Sequence, residues 1–196
     1  SNDPKTDYAL LKPLLDYVVP RMAGAGVRSG RILMARDVRQ MGSYLRRGHV
    51  DWVTGSATTS LLLQARAGAK PLVLTERNGA SRDRTVFFVR RDSGITALED
   101  LRGHDVAFRG DSSDGAYFLP MAHLLARSMP LQVLVSPMDR PDAASVGYLF
   151  ARSEPNIVTW VRRRLVDVGT ISRIEWDDPQ RFPSSWRSEF RVIDES

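Results

Sequence analysis

The chain contains no cysteine, which excludes a disulfide framework, a thiolate zinc site, an iron–sulfur cluster and a thiol nucleophile. That absence suits an oxidising compartment without proving one. No run of about 18 apolar residues occurs, so no segment reads as a membrane-crossing helix. The three histidines, His49, His104 and His123, are scattered singly, and neither a His-Glu-x-x-His motif nor an EF-hand loop is present. No metal and no cofactor is therefore expected. A P-loop and a Gly-x-Gly-x-x-Gly fingerprint are also missing. Lysine is scarce, occurring only at Lys5, Lys12 and Lys70.

What is present is a 196-residue chain with 42% hydrophobic and 26% charged residues, the balance of a globular protein with a core of its own. The length allows one or two domains. Twenty-eight basic residues against 23 acidic ones give +5, and nearly all the positive charge is arginine. Residues 1–50 carry +5, 51–110 carry +2 and 111–196 carry −2, so the excess is frontal and diffuse. Arg162-Arg163-Arg164 is the longest basic run. Acids are interspersed throughout and no recognition motif accompanies the arginines, so the reading is a solvated surface and no nucleic-acid partner. Ser1-Asn2 without an initiator Met reads as a cloning remnant outside the fold. No signal peptide is present, so either one was removed or the chain is cytosolic.

Hydrophobic periodicity alternates between helix and strand. Residues 6–22 place Leu10, Leu11, Leu14, Leu15, Val18 and Val19 at helical spacing, with Pro13 arguing for a start later than Thr6. Helices are expected over 37–47 and 56–67. Short apolar runs at 32–34, 50–53 and 71–75 punctuate them, the latter two reading as strands. Asn78-Gly79 marks a turn. Thr85-Val86-Phe87-Phe88-Val89 is the strongest strand signal. Beyond it come a short helix at 97–101, a strand at 106–108, a polar turn at 112–115 and a helix at 116–127. A strand at 131–135, helices at 142–152 and 155–164, a strand at 166–168 and an irregular stretch at 177–188 follow. Residues 190–193 form the last strand. Strands separated by helices imply an α/β fold of mainly parallel sheets flanked by helices.

The segment Phe108-Arg-Gly-Asp-Ser-Ser-Asp-Gly115 follows a strand and opens a helix. Hydroxyls and backbone N–H groups at such a place form an anion site. The same residues are also ordinary helix caps, and the two readings stand level on these residues alone. Gly110-Asp111-Ser112 is similar to the Gly-Asp-Ser of some serine hydrolases. No histidine lies in the C-terminal third to act as a base there, and no Gly-x-Ser-x-Gly elbow exists.

From Asp92 to Phe108 the sequence Asp-Ser-Gly-Ile-Thr-Ala-Leu-Glu-Asp-Leu-Arg-Gly-His-Asp-Val-Ala-Phe resembles a signature of phosphate/phosphite/phosphonate-type periplasmic binding proteins. These are solute receptors of ABC importers. Gly48-His49-Val50-Asp51, Gly68-Ala69-Lys70-Pro71-Leu72 and Val166-Asp167-Val168-Gly169 match further family stretches in the same order. The resemblance spans about residues 8 to 194, and against it the chain looks trimmed at both ends. It implies a two-lobed periplasmic binding protein-like α/β fold with a ligand cleft between the lobes. Lobe one would be residues 1–90 with a return strand at 186–196, and lobe two 91–185.

The resemblance further implies a non-enzymatic periplasmic protein that hands a small anionic or zwitterionic solute to an ABC transporter permease. A missing first strand would expose a sheet edge that a homodimer could cover. The implied ligand-binding residues are Ser112, Ser113, Asp114 and Gly115 in the polar turn, Thr58 and Thr59 near a ligand-facing tyrosine position, and the acidic Asp167. Asp114 stands where the family has Ser, and Asp139-Arg140-Pro141-Asp142 stands where the family carries Ser-His-Asp. A carboxylate at 114 opposes a simple phosphonate unless it caps the helix or meets a ligand amine. Two other roles compete: the extracytoplasmic ligand sensor of a membrane-bound signalling protein, and a serine hydrolase.

Overall fold

The computed structural model describes residues 4–74, 76, 82, 84–110, 113–180 and 182–196. It divides into two compact units, Ser1–Val73 and Leu74–Ser196. The expected boundary lay near residue 90, with the last strand returned to lobe one. Here residues 85–90 and 190–195 both belong to the sheet of the second unit.

The first unit is helical in its described residues. Helix α1 spans Pro4–Arg21 and continues through Pro13 and Pro20, so Pro13 did not delay its start. A proline removes one backbone bond and strains its turn, yet an 18-residue helix retains enough others. Helix α2, Val38–Arg46, is capped by Asp37, whose Oδ1 accepts from Gln40 N at 2.7 Å. That bond draws the Asp37 carboxyl below its usual range. Helix α3, Ala57–Ala67, is capped by Ser56 and closed by Gly68 in the left-handed region at φ 66°.

The apolar runs at 32–34 and 50–53, and the described residues of 71–75, form no strand. A strand exists only with a ladder partner, and these runs pair with nothing among the described residues. Leu72, Val73 and Leu74 are exposed. All three lysines fall in this unit.

The second unit is built on a six-stranded mixed sheet in the order β3-β4-β2-β5-β1-β6. Its strands are β1 (Thr85–Arg90), β2 (Asp105–Phe108), β3 (Leu131–Val133), β4 (Val146–Phe150), β5 (Val168–Ser172) and β6 (Phe190–Glu195). Strands β3, β4, β2 and β5 run parallel, and β1 pairs antiparallel with both β5 and β6. Helix α4 (Leu119–Ala126) carries the chain from β2 to β3, and α5 (Glu154–Arg162) carries it from β4 to β5. The short helix α6 (Arg173–Asp177) ends where the stretch expected to be irregular begins, and one short helix, α7 (Ser184–Arg187), lies within that stretch.

Side chains alternate across the sheet with a period of two. Val86 and Phe88 enter one core with Ile157 and Val161 of α5, while Phe87 and Val89 enter the other with Leu124 of α4. Phe88 is fully buried and meets Trp176, Phe182 and Phe190, with ring centroids 5.2–5.9 Å away. Gly169 is what lets that ring lie against β5. A Cβ there would stand 2.7 Å from Phe88 Cε1 and 2.8 Å from Ile157 Cγ2.

The expected helix at 142–152 is a strand. Val146-Gly147-Tyr148-Leu149-Phe150 joins β-branched and aromatic residues and lies between β3 and β2. A strand covered on both faces loses its alternation and reads like a buried helix. β5 likewise begins where the expected strand at 166–168 ended.

Candidate functional site

The carboxyl ends of β4, β2 and β5 open onto one edge of the sheet. In open α/β sheets ligands bind outside the carboxyl ends of parallel strands, where successive crossovers leave in different directions. Here the crossover from β2 reaches β3 and that from β4 reaches β5 on the far side of β2. Helices α4 and α5 pack on opposite faces, so both strand ends meet a helix start at this edge.

After β2, Ser113 caps a π-turn over Asp114–Phe118 that runs directly into α4. Ser113 Oγ accepts from Ala116 N at 3.2 Å, and Ser113 O accepts from Phe118 N at 3.0 Å. The carbonyls of the turn point back into the sheet. Gly115 O accepts from Thr85 Oγ1 at 2.7 Å, and Ala116 O accepts from Arg109 N at 3.0 Å. Thr85 is fully buried, as is Thr170, whose Oγ1 lies 3.1 Å from Ala107 O and 3.5 Å from Ala116 O of the turn. Buried hydroxyls from two neighbouring strands thus fix the turn. The first turn of a helix has N–H groups without intrahelical acceptors, and it carries the positive end of the helix dipole.

After β4, Ala151 N donates to Phe108 O at 2.8 Å, and Ser153 caps α5 by accepting from Asn156 N at 3.3 Å. Arg109 Nε reaches Glu154 Oε1 at 3.0 Å and so bridges the two helix starts. Arg152 is exposed and adopts a left-handed φ of 69°, which costs a non-glycine residue roughly 1–2 kcal/mol. Arg109, Arg152 and Ser153 were not anticipated. The signal was available in Ser153-Glu154-Pro155, a capping serine with proline at the helix start, but the reading of 142–152 as helix hid it.

The structure brings Ser113, Asp114 and Gly115 together at this edge, with Gly115 buried and Asp114 half-buried. Ser112 lies outside the described residues. Thr58 and Thr59 stand in the first turn of α3 on the first unit, where Ser56 Oγ accepts from Thr59 N at 3.3 Å and bonds Thr59 Oγ1 at 3.1 Å.

Asp167 is not brought to the turn. It precedes β5 at the amino end of the parallel strands, where its Oδ2 bonds His104 Nδ1 at 2.8 Å. Its backbone N–H donates to Asp105 Oδ1 at 2.7 Å, and Arg140 Nη1 reaches Asp105 Oδ2 at 3.3 Å. Burial pushes the Asp105 carboxyl up, and the Asp167 charge adds to that, against hydrogen bonding from the Asp167 N–H and the positive charge of Arg140. His123 is also engaged away from the turn, its Nε2 meeting Asp194 Oδ2 at 2.5 Å.

This edge, with two capped helix starts, can hold an anionic group by hydrogen bonds. It belongs to a class of ligand-capturing α/β proteins. Over residues 1–196 the chain matches the family model of the ABC transporter phosphonate periplasmic substrate-binding protein, and it is a member of that family. Its family is one of solute-binding proteins found in the periplasm that deliver small ligands to ABC permeases.

XAC2383 from Xanthomonas citri, solved bound to ATP, is 48% identical over 97% of this chain and 70% of its own, with a TM-score of 0.90. The same protein bound to chloride ion gives 0.91 at 48% identity, over 100% of this chain and 70% of its own. PhnD1 from Prochlorococcus marinus in complex with methylphosphonate is 12% identical over 96% of this chain and 68% of its own, with a TM-score of 0.57, a likeness of fold alone. None of the curated proteins compared matches the chain.

Proposed function

We propose that this protein is the periplasmic receptor of an ABC importer and captures a small solute bearing a phosphate- or phosphonate-type group. The observation that carries the reading is the ATP-bound relative at 48% identity, within a family match that covers the whole chain. The anionic group sits at the Ser113–Gly115 turn, and closure of the two lobes completes the site, as the family resemblance implies. The family resemblance adds Thr58 and Thr59 of the first unit to the proposed ligand contacts. A charge-assisted hydrogen bond contributes about 1.5–3 kcal/mol, so three at the upper end of that range approach the ~8 kcal/mol of micromolar binding.

Asp114 sets which solute is accepted. At about 4 Å and an effective dielectric near 20, its carboxylate opposes a unit negative charge by roughly 4 kcal/mol. A solute with an amine or hydroxyl beside its anionic group turns that opposition into a hydrogen bond. ATP offers ribose hydroxyls and a base amine apart from its phosphates; a bare phosphate dianion offers only its single P–OH.

Calorimetry with ATP, methylphosphonate, 2-aminoethylphosphonate and inorganic phosphate tests the proposal. Saturation at about 100 times the dissociation constant adds ~2.7 kcal/mol to stability, which appears as a melting shift of several degrees. Asp114→Ser strengthens methylphosphonate binding and weakens binding of the amino-substituted ligand. No heat and no melting shift with any of the four would refute the receptor reading. Affinities unchanged by Asp114→Ser would confine Asp114 to a helix cap.

A further inference from the structure

The first unit holds a second feature that the solute reading does not use. Residues 1–73 contain eleven basic and five acidic residues, a net of +6, whereas residues 74–196 contain seventeen and eighteen, a net of −1. Arg39 and Arg46 lie seven residues apart on α2, and Arg66 lies near the end of α3. The three arginines and Gly42 line one hollow of about 340 Å³. Gly42 is the buried residue of α2, and its missing side chain leaves the hollow open at its floor. The volume falls within the range of small-molecule sites, at its lower end.

Arg46 has structural employment, since its Nη1 donates to Arg66 O at 2.8 Å and ties α2 to the end of α3. A cation at a helix C-terminus is favoured by the dipole, which also rationalises Arg66 in part. Arg39 sits in the first turn of α2, where the dipole opposes it. Among the described residues, no carboxylate lies within ion-pair distance of any of the three guanidinium groups. Other arginines, such as Arg90, Arg162 and Arg173, do have carboxylate partners. Asp37 lies near enough for the charge of Arg39 to help draw its carboxyl down, but it forms no ion pair with Arg39. The three guanidinium groups lining one hollow repel one another, and an anion bound between them relieves that repulsion.

We infer that the Arg39–Arg46–Arg66 hollow on the first unit binds a phosphate-bearing anion. Each guanidinium presents a planar fork that matches two phosphate oxygens. A single carboxylate fills one fork, while a group with several tetrahedral oxygens can engage all three. The arginines hold their charge at every physiological pH, so binding does not titrate, but it weakens as salt screens it. The same chemistry is offered by a soluble polyphosphate and by the headgroup of an anionic phospholipid. The inference stands independently of the solute site, because Arg39, Arg46 and Arg66 are not among the residues assigned to the solute.

The test uses the full chain with inorganic pyrophosphate followed by calorimetry, and with phosphatidylglycerol or phosphatidylcholine vesicles followed by co-sedimentation. Arg39→Ala and Arg66→Ala are exposed substitutions that leave the Arg46 tie in place, and circular dichroism confirms their fold. Each is expected to weaken binding about tenfold and the pair together about a hundredfold, as for loss of one charge-assisted contact each. Arg39→Lys, which retains charge and loses the fork, falls between the native chain and Arg39→Ala.

Saturable pyrophosphate binding that depends on these arginines assigns a soluble ligand. Arginine-dependent sedimentation with phosphatidylglycerol vesicles alone assigns a lipid headgroup. Binding of neither probe, or binding undiminished in the double variant, overturns the inference. Ser113→Ala separates the two sites. It leaves arginine-dependent binding intact, and a failed receptor reading leaves it intact too, whereas a failed arginine site leaves ATP binding untouched by the double variant.

Discussion

The two units of this protein spend their apolar residues differently. Of the buried apolar side chains among the described residues, Leu63 alone belongs to the first unit, and all the others except Ala116 line the two cores of the six-stranded sheet. The first unit displays Leu10, Leu14 and Tyr17 along one side of α1 and leaves Leu72 and Val73 exposed. Helices form from local signals, such as the Asp37 and Ser56 caps, and need little else to be recognisable. A sheet forms only when distant segments meet, and it buries both of its faces in doing so. The second unit thus holds the rigid scaffold, and the loops that could touch a ligand are mounted on it.

The comparison is broken most directly by removing one large side chain from each unit. Phe88→Ala deletes a fully buried ring at the centre of the second unit and is expected to cost about 3–5 kcal/mol. Leu10→Ala, at an exposed position of α1, is expected to stay within about 0.5 kcal/mol. Urea unfolding measures both, and equal losses would contradict the contrast in packing. A smaller effect sharpens it at the site: Ser113→Ala removes the cap at the start of the π-turn, for about 1 kcal/mol of stability by the same measurement.

The smallest effect is one of pH. The folded Asp105 carboxyl titrates above its unfolded value, so the folded state holds that proton more tightly. Its contribution to stability is therefore largest at low pH and declines as pH rises through the folded value. Asp105→Asn has no proton to exchange at this position. The variant's melting temperature, compared with that of the native chain, should rise between about pH 4 and pH 7. A constant difference across that range would mean that Asp105 titrates normally.

Much of this architecture is legible in the sequence wherever a local rule governs. Thr85–Val89 is a strand because β-branched and aromatic residues crowd together there, and α2 and α3 begin at their capping residues. Reading fails where the deciding partner is remote. β4 looks like a helix until β2 and β3 are placed on either side of it, and residues 50–53 look like a strand although no partner accompanies them among the described residues.

The candidate site divides in the same way. The Ser113 cap follows from its neighbours. The Arg109–Glu154 bridge joins residues 45 positions apart and leaves no local trace. Asp167 could have been placed by strand polarity alone. It precedes its strand while Ser113 follows its own, and parallel pairing of β2 with β5 then puts them at opposite ends.

The confinement of lysine to residues 1–73 has a practical consequence. An amine-directed fluorophore marks the first unit and cannot mark the second, while Trp160, Trp176 and Trp186 emit from the second unit. Trp52 of the first unit also emits, so Trp52→Phe leaves donors in the second unit only and acceptors in the first, with no thiol to introduce or to mask. Energy transfer from those indoles to the dye would report whether the two units move relative to each other when ATP is added.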